Sequence, residues 1–153
     1  YLPGAHGIGM LMAAAMRVHS RGRVRLADSS PHADPVIEFS MLSDDRDAEV
    51  LDRAIDELER LLDHPALRDV ATALPYERSP EAVRASIGDY VHATGTCAMG
   101  TVVDSACRVI GYDGLLVCDA SVMPSIPRAN THWPTVMIAE RIAHRLRTLL
   151  GEG

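Results

Sequence analysis

Two amphipathic helices frame a long stretch with no helical period of its own, and that arrangement limits this chain more than any other feature. The spacing predicts the first helix over residues 44–63. Leu51, Ile55, Leu58 and Leu62 recur at intervals of three and four and make one apolar stripe. Ser43 stands where a cap belongs, Asp44 and Asp45 fall in the first turn, where free amides favour negative charge, and Pro65 ends the run. Glu49 with Arg53, and Asp56 with Arg60, are i,i+4 pairs on the polar side. The last helix is predicted from Pro134, a residue suited to a first helical position, to a stop at Gly151. Val136, Ala139, Ala143 and Leu146 define its face, and Ile138, Ile142 and Leu149 widen it. Between the helices, residues 91–133 are rich in Gly, Thr, Ser, Cys and Pro, with few acidic side chains.

The remaining elements read as short. Leu11–Val18 is apolar and Ala-rich, and propensity alone predicts helix there. Val24 and Leu26 alternate with Arg23, Arg25 and Ala27, a short strand with one buried face. Asp28-Ser29-Ser30-Pro31 is a turn, and Val36, Ile37 and Phe39 suggest a second strand. Two such strands need a sheet or a helix against them. Ser79-Pro80-Glu81-Ala82 begins a short helix. Val102-Val103 and Leu115–Cys118 are further strand candidates, with a turn at Tyr112-Asp113-Gly114. An apolar strand, a polar loop with prolines and a helix make the closing unit of many α/β domains.

Charge and cysteine content exclude several functions. The formal net charge is -6 and every basic side chain is Arg, which disfavours a broad nucleic-acid surface. The cluster of Arg17, Arg21, Arg23 and Arg25 has no interleaved aromatics and reads as a solvated strand. No apolar run approaches the length of a membrane span. Cys97, Cys107 and Cys118 are odd in number and lack a CxxC spacing. They read as buried thiols in a reduced, cytoplasmic setting, not as a disulfide scaffold or a zinc knuckle. Gly4, Gly7 and Gly9 imitate a nucleotide loop, but no strand precedes them, and a loop is the expectation. The first residue is Tyr1, and the first ten residues do not resemble a signal peptide, so the chain reads as starting inside something larger.

Two segments carry more specific side chains than packing requires: His92–Gly100, and Asp119–Pro124 running on to Asn130–Thr135. Asp119 stands at a strand end, where open α/β sheets bind ligands. His132 stands just before a helix N-terminus, whose amides can hold an anion or a polarised carbonyl oxygen. By spacing alone, His92 and His132 are either a base with its hydrogen-bond partner or two ordinary histidines. His92, His132 and Asp119 do not make a compact zinc pattern, and no metal is expected.

These segments, His92-Ala93-Thr94-Gly95-Thr96-Cys97-Ala98-Met99-Gly100, Val102-Val103-Asp104, Gly114–Pro124 and Asn130–Glu140, resemble the C-terminal signature of the glucose-methanol-choline oxidoreductases, FAD enzymes that include choline dehydrogenase and glucose oxidase. Residues 20–63 resemble the family's substrate domain. The resemblance implies a mixed α+β and α/β chain: part of an antiparallel-sheet substrate domain over residues 1–90, an active-site segment over 91–100, and a return over 101–150 that supplies the last strand and helix of an FAD-binding Rossmann-like domain. It makes Leu11–Val18 a strand, against propensity. It implies a reaction in which an alcohol CH–OH becomes a carbonyl by hydride transfer to the flavin. His92 would accept or orient the hydroxyl proton, with His132 beside it. Asp119 and Ala120 would lie at the ribityl–pyrophosphate part of FAD, and Pro134 and Thr135 would open a helix aimed at the flavin pyrimidine. Trp133 stands where the family usually has a small residue. The family's Gly-rich FAD fingerprint is not in this sequence, so the implied partners are a small alcohol and a missing N-terminal FAD-binding portion, on the same or a separate chain. Two alternatives keep the sequence but change the role: a non-catalytic structural or interaction fragment, and a flavin-containing hydroxynitrile lyase-like enzyme that uses the histidines for cyanohydrin cleavage.

Overall fold

The computed structural model describes residues 7–151, so Gly4 of the glycine loop lies outside the described residues. The chain divides into two compact units. One holds Asp44–Ile87 with the N-terminal residues through Ala15, and the other holds Met16–Ser43 with the chain from Gly88 onward.

The first unit is built on α1 (Asp45–Leu62). Asp44, not Ser43, caps it: its carboxylate accepts from the Arg46 amide and also binds the Arg46 guanidinium. Leu51, Ile55, Leu58 and Leu62 are half-buried along one stripe. The charge pairing differs from the i,i+4 expectation. Arg60 pairs with Glu57, and Asp56 turns to Arg78. The guanidinium of Arg78 also binds Asp52 and Glu59, both at 2.8 Å. Positions 52, 56 and 59 share one helix face, so a single side chain reaches all three. Its own proton affinity is raised, chiefly by Asp52 and then by Asp56. Two short helices follow, α2 (Pro65–Arg68) and α3 (Pro80–Ser86). Pro65 therefore starts a helix as well as ending one. Ser79 caps α3 by accepting from the Ala82 amide at 3.1 Å, a bond worth about 1 kcal/mol.

The second unit contains the only ladder among the described residues, β1 (Arg23–Arg25) paired antiparallel with β2 (Val36–Glu38). Val24 opposes Ile37, and Arg23 opposes and binds Glu38, which holds the Glu38 carboxyl below its ordinary range. The expected buried face is absent: Val24, Leu26 and Ile37 are all exposed. Gly22 is fixed by contact, since a Cβ there would lie 2.1 Å from the Glu38 carbonyl oxygen.

Leu11–Val18 forms neither the helix of its propensity nor the strand of its resemblance. Leu11, Met12 and Met16 stay exposed, so nothing stabilises either state. Leu115–Cys118 is not a strand either. It makes one antiparallel bridge, Arg108 with Leu116, and a bond from the Val117 amide to the Cys107 carbonyl at 3.0 Å. A parallel strand is stable only between neighbours with both faces covered, and the backbone bonds of residues 115–117 go instead to the antiparallel segment 107–109.

α4 runs from His132 to Leu150 and stops at Gly151, whose φ of 74° gives the left-handed cap. It begins two residues before Pro134. A proline is tolerated there because the first turn's amides have no carbonyl partner within the helix. The buried line also differs from the emphasised one. Ile142 is buried and Ile138 packs beside it, whereas Ala143 and Leu146 face solvent. The core consists of Val103, Cys107, Val122 and Ile142, with Met99, Val109, Leu116, Val117, Cys118 and Ile138 packed against it. All three cysteines are free thiols, with Cys107 fully buried and the other two half-buried. Burial first, and Cys118 second, push the Cys107 thiol above its ordinary range. No helix among the described residues is long and apolar enough to cross a membrane.

Candidate functional site

Three backbone bonds bring the two chemistry-bearing segments together. The amides of Gly95, Cys97 and Met99 donate to the carbonyls of Ala120, Ser121 and Val122 at 3.4, 2.9 and 2.9 Å. Gly95 is required in this arrangement: its φ is 85°, and a Cβ would lie 3.3 Å from the Met123 carbonyl oxygen. The pairing carries His92 to the turn that precedes α4.

His92 is half-buried and held on both sides of its ring. Nδ1 lies 3.1 Å from the Val91 carbonyl oxygen and 3.2 Å from Thr131 Oγ1, and Nε2 lies 3.3 Å from Asn130 Oδ1. Tyr90 packs edge-on against the ring at 5.1 Å. Tyr90 and Val91 both have left-handed backbones, with φ of 55° and 51°. Two successive non-glycine residues in that region are uncommon, and for a β-branched valine the conformation is strained. Strain of this kind gathers at functional sites, where the surrounding structure holds it.

His132 is exposed and is the first residue of α4. Its ring packs against Trp133 at 5.1 Å with the planes 68° apart. Among the described residues no hydrogen bond joins the two histidine rings. They are linked through Asn130 and Thr131, the residues directly before His132. Neither residue has a role in the sequence reading, although both stand in the segment that reading singled out. The signal available was a run of side chains able to hydrogen-bond, Asn130-Thr131-His132, immediately ahead of a helix.

Thr131 is buried and makes no side-chain cap to α4. Its carbonyl instead accepts from the Thr135 hydroxyl at 2.7 Å and the Thr135 amide at 3.0 Å. Pro134 supplies no N–H. The amides of His132 and Trp133 are thus the donors at the positive end of the helix dipole, suited to an electron-rich group. Asp119 caps a 3-10 turn over Ala120–Val122, and one carboxylate oxygen accepts from the Ser121 amide at 2.8 Å. The residue is exposed. A carboxylate can only accept, so it suits hydroxyl donors and repels phosphate. The Ala120 carbonyl accepts from Gly95 and Met123 inside the scaffold.

A separate knot supports this loop. Asp104 Oδ1 accepts from the amides of Ala106 and Arg108 at 2.8 and 3.0 Å. Those two bonds, that from Arg108 first, hold its carboxyl below the ordinary range. Among the described residues no three of His, Cys, Asp and Glu gather where one metal ion could bind.

The family described as GMC oxidoreductase matches residues 18–139. The chain is 36% identical to an oxygen-dependent choline dehydrogenase of Chromohalobacter salexigens, over 94% of this chain and 28% of that protein. It is 33% identical to a 5-(hydroxymethyl)furfural oxidase of Methylovorus sp., over 95% of this chain and 33% of that protein. Among solved structures it is similar to pyridoxine 4-oxidase from Mesorbium loti, with a TM-score of 0.76 and 27% identity over 85% of this chain and 28% of the other. It is also similar to formate oxidase of Aspergillus oryzae RIB40, with a TM-score of 0.77 and 26% identity over 86% of this chain and 25% of the other. The chain thus spans about a third or less of the relatives it matches.

Proposed function

The chain belongs to the GMC oxidoreductase family, and on that premise we propose that it is the C-terminal portion of an FAD-dependent enzyme that oxidises an alcohol to a carbonyl. The observation that carries this reading is the convergence of His92 with the turn Asn130-Thr131-His132, across a loop closed by the 95–99 and 120–122 pairing.

The residues fit one end of the cofactor. The open amides at the start of α4 are those of His132 and Trp133, since Pro134 has none and Thr135 donates to the Thr131 carbonyl, and they complement an electron-rich ring edge. Asp119, with Ala120 behind it, offers an exposed acceptor for hydroxyl groups of a sugar-alcohol chain. The sequence holds no Gly-rich loop for the pyrophosphate, and that portion, with the Rossmann-like sheet, would come from residues beyond this chain or from a second polypeptide. Residues 1–90 would then be part of the substrate domain, 91–100 the active-site segment, and 101–150 the return to the FAD domain. The exposed apolar residues Val24, Leu26 and Ile37 would then be covered by the rest of the substrate domain.

FAD, when bound, supplies the two-electron acceptor that takes the carbon-bound hydrogen as hydride. The chain's own work is to hold the alcohol and remove its hydroxyl proton. His92 takes that proton, and His132, open to solvent at the helix start, hydrogen-bonds the same oxygen. Together they orient the alcohol so that the carbon–hydrogen bond faces the acceptor.

The test is anaerobic mixing of the full-length, FAD-loaded parent with a panel of primary alcohols, followed by the loss of visible flavin absorbance. We expect bleaching by at least one alcohol, slowed about 10²- to 10⁴-fold by His92→Ala with flavin still bound. A parent that retains no flavin, or whose flavin no alcohol reduces, rejects the reading.

A further inference from the structure

Cys107 and Cys118 are two nucleophiles for which alcohol oxidation has no use, and they lie side by side. Residues 107–109 run antiparallel to 115–117: Arg108 is bridged to Leu116, and the Val117 amide donates to the Cys107 carbonyl at 3.0 Å. Strict alternation along such a pair would put the side chains of residues 107 and 118 on opposite faces. Cys107 has a left-handed backbone, with φ of 61°, which breaks the alternation. Both side chains enter the one core, and the two thiols are hydrogen-bonded to each other. Cys118 Sγ also lies 3.8 Å from the Ile138 carbonyl oxygen of α4, which fixes its direction. Sulfurs in contact on paired backbone segments need little main-chain movement to reach bonding distance. The two differ in access. Cys118 is half-buried, whereas Cys107 is fully buried and meets no solvent.

We propose that Cys107 and Cys118 are a modification site: on exposure to hydrogen peroxide they form a reversible disulfide that ties the segment leading to Asp119 to its antiparallel neighbour. The Cys118 sulfur attacks one peroxide oxygen, the O–O bond breaks, and Cys118 becomes a sulfenic acid as the other oxygen leaves in water. The Cys107 sulfur then attacks the Cys118 sulfur. The S–S bond forms, the S–O bond breaks, and the hydroxyl leaves as a second water with the Cys107 proton. The thiol pair gives up two electrons, and the peroxide takes both. Since Cys107 already touches the sulfur it attacks, the sulfenic acid is captured before a second oxidation. A small thiol such as glutathione reverses the cross-link by exchange. The proposal does not depend on the role of His92.

The test uses the full-length, FAD-loaded parent. It is treated with hydrogen peroxide, denatured in N-ethylmaleimide to block the remaining thiols, and digested without reduction. Trypsin cuts after Arg84, Arg108 and Arg128, so the two cysteines fall in separate peptides, 85–108 and 109–128. We expect mass spectrometry to find the two joined in one species, two hydrogens lighter than the thiol forms together, and parted again by dithiothreitol. Cys97 shares the first peptide, so Cys97→Ser must keep the joined species. In Cys107→Ala, dimedone should trap a sulfenic acid on Cys118, and in Cys118→Val, Cys107 should stay a thiol. If Cys107→Ala does not fold, the Cys97→Ser result decides alone. Maleimide on both Cys107 and Cys118 after peroxide, loss of the joined species in Cys97→Ser, or oxidation of Cys107 in Cys118→Val overturns the proposal.

Discussion

Arg78 meets Asp56 at 2.6 Å, joining the loop after α2 to the polar face of α1. The same guanidinium holds Asp52 and Glu59, so three carboxylates share one positive charge. Replacing Arg78 by Met keeps the apolar stem and removes the charge. We expect a lower urea midpoint, because three like charges on one face lose their counterion. The difference between variant and parent should shrink in about 1 M salt, where charges are screened within roughly 3 Å. A midpoint unchanged at low salt contradicts a stabilising role for the network.

Asp104 offers a pH test. Its folded-state proton affinity is depressed by the Arg108 and Ala106 amides. A depressed carboxyl adds stability that is present above its unfolded value and is lost as the pH falls through the folded one. Asp104→Asn keeps an oxygen for both amides but removes the charge. We expect the variant to be less stable near neutral pH, with the gap closing below about pH 4. Urea melts across that range measure it, and a gap constant with pH refutes it.

Gly22 is predicted to refuse a side chain. An alanine Cβ would meet main-chain atoms of Glu38 and Phe39, which cannot rotate away. Gly22→Ala should therefore destabilise the β1–β2 pair by about 1–3 kcal/mol. Faster amide exchange at Val24 and Ile37 would localise the effect, and unchanged exchange there argues against it.

Much of this architecture is readable before folding. The Ser79-Pro80 start, the Leu51–Leu62 stripe and the Gly151 stop are local devices, and each acts within one turn of where it is written. The unreadable parts depend on what lies outside the local sequence. Leu115–Cys118 has the composition of a strand but meets only the short antiparallel segment 107–109, so it makes a single bridge. The buried face of α4 is set by where Val103 and Cys107 pack, which helical periodicity does not encode. Of the site, His92 and His132 are visible as residues, but their link through Asn130 and Thr131 needs the loop to close first.

Trp133 tests the proposed approach of the alcohol to His132. It is 74% exposed, and its ring packs on His132. If the alcohol approaches His132, Trp133→Ala opens room beside it. We expect kcat/KM for branched or aromatic alcohols to rise about tenfold or more relative to small linear ones. Equal changes for all alcohols would place the indole away from the substrate.

The pairing of residues 95–99 with 120–122 also sets what can be inserted between them. Everything from Gly100 to Asp119 is a closed loop whose ends are pinned at the scaffold, with the exposed tip Gly111–Gly114 at its far side. Lengthening a flexible loop costs only about 0.6 kcal/mol for each doubling of its length. That tip can therefore change length, or receive a graft, while the histidines keep their spacing.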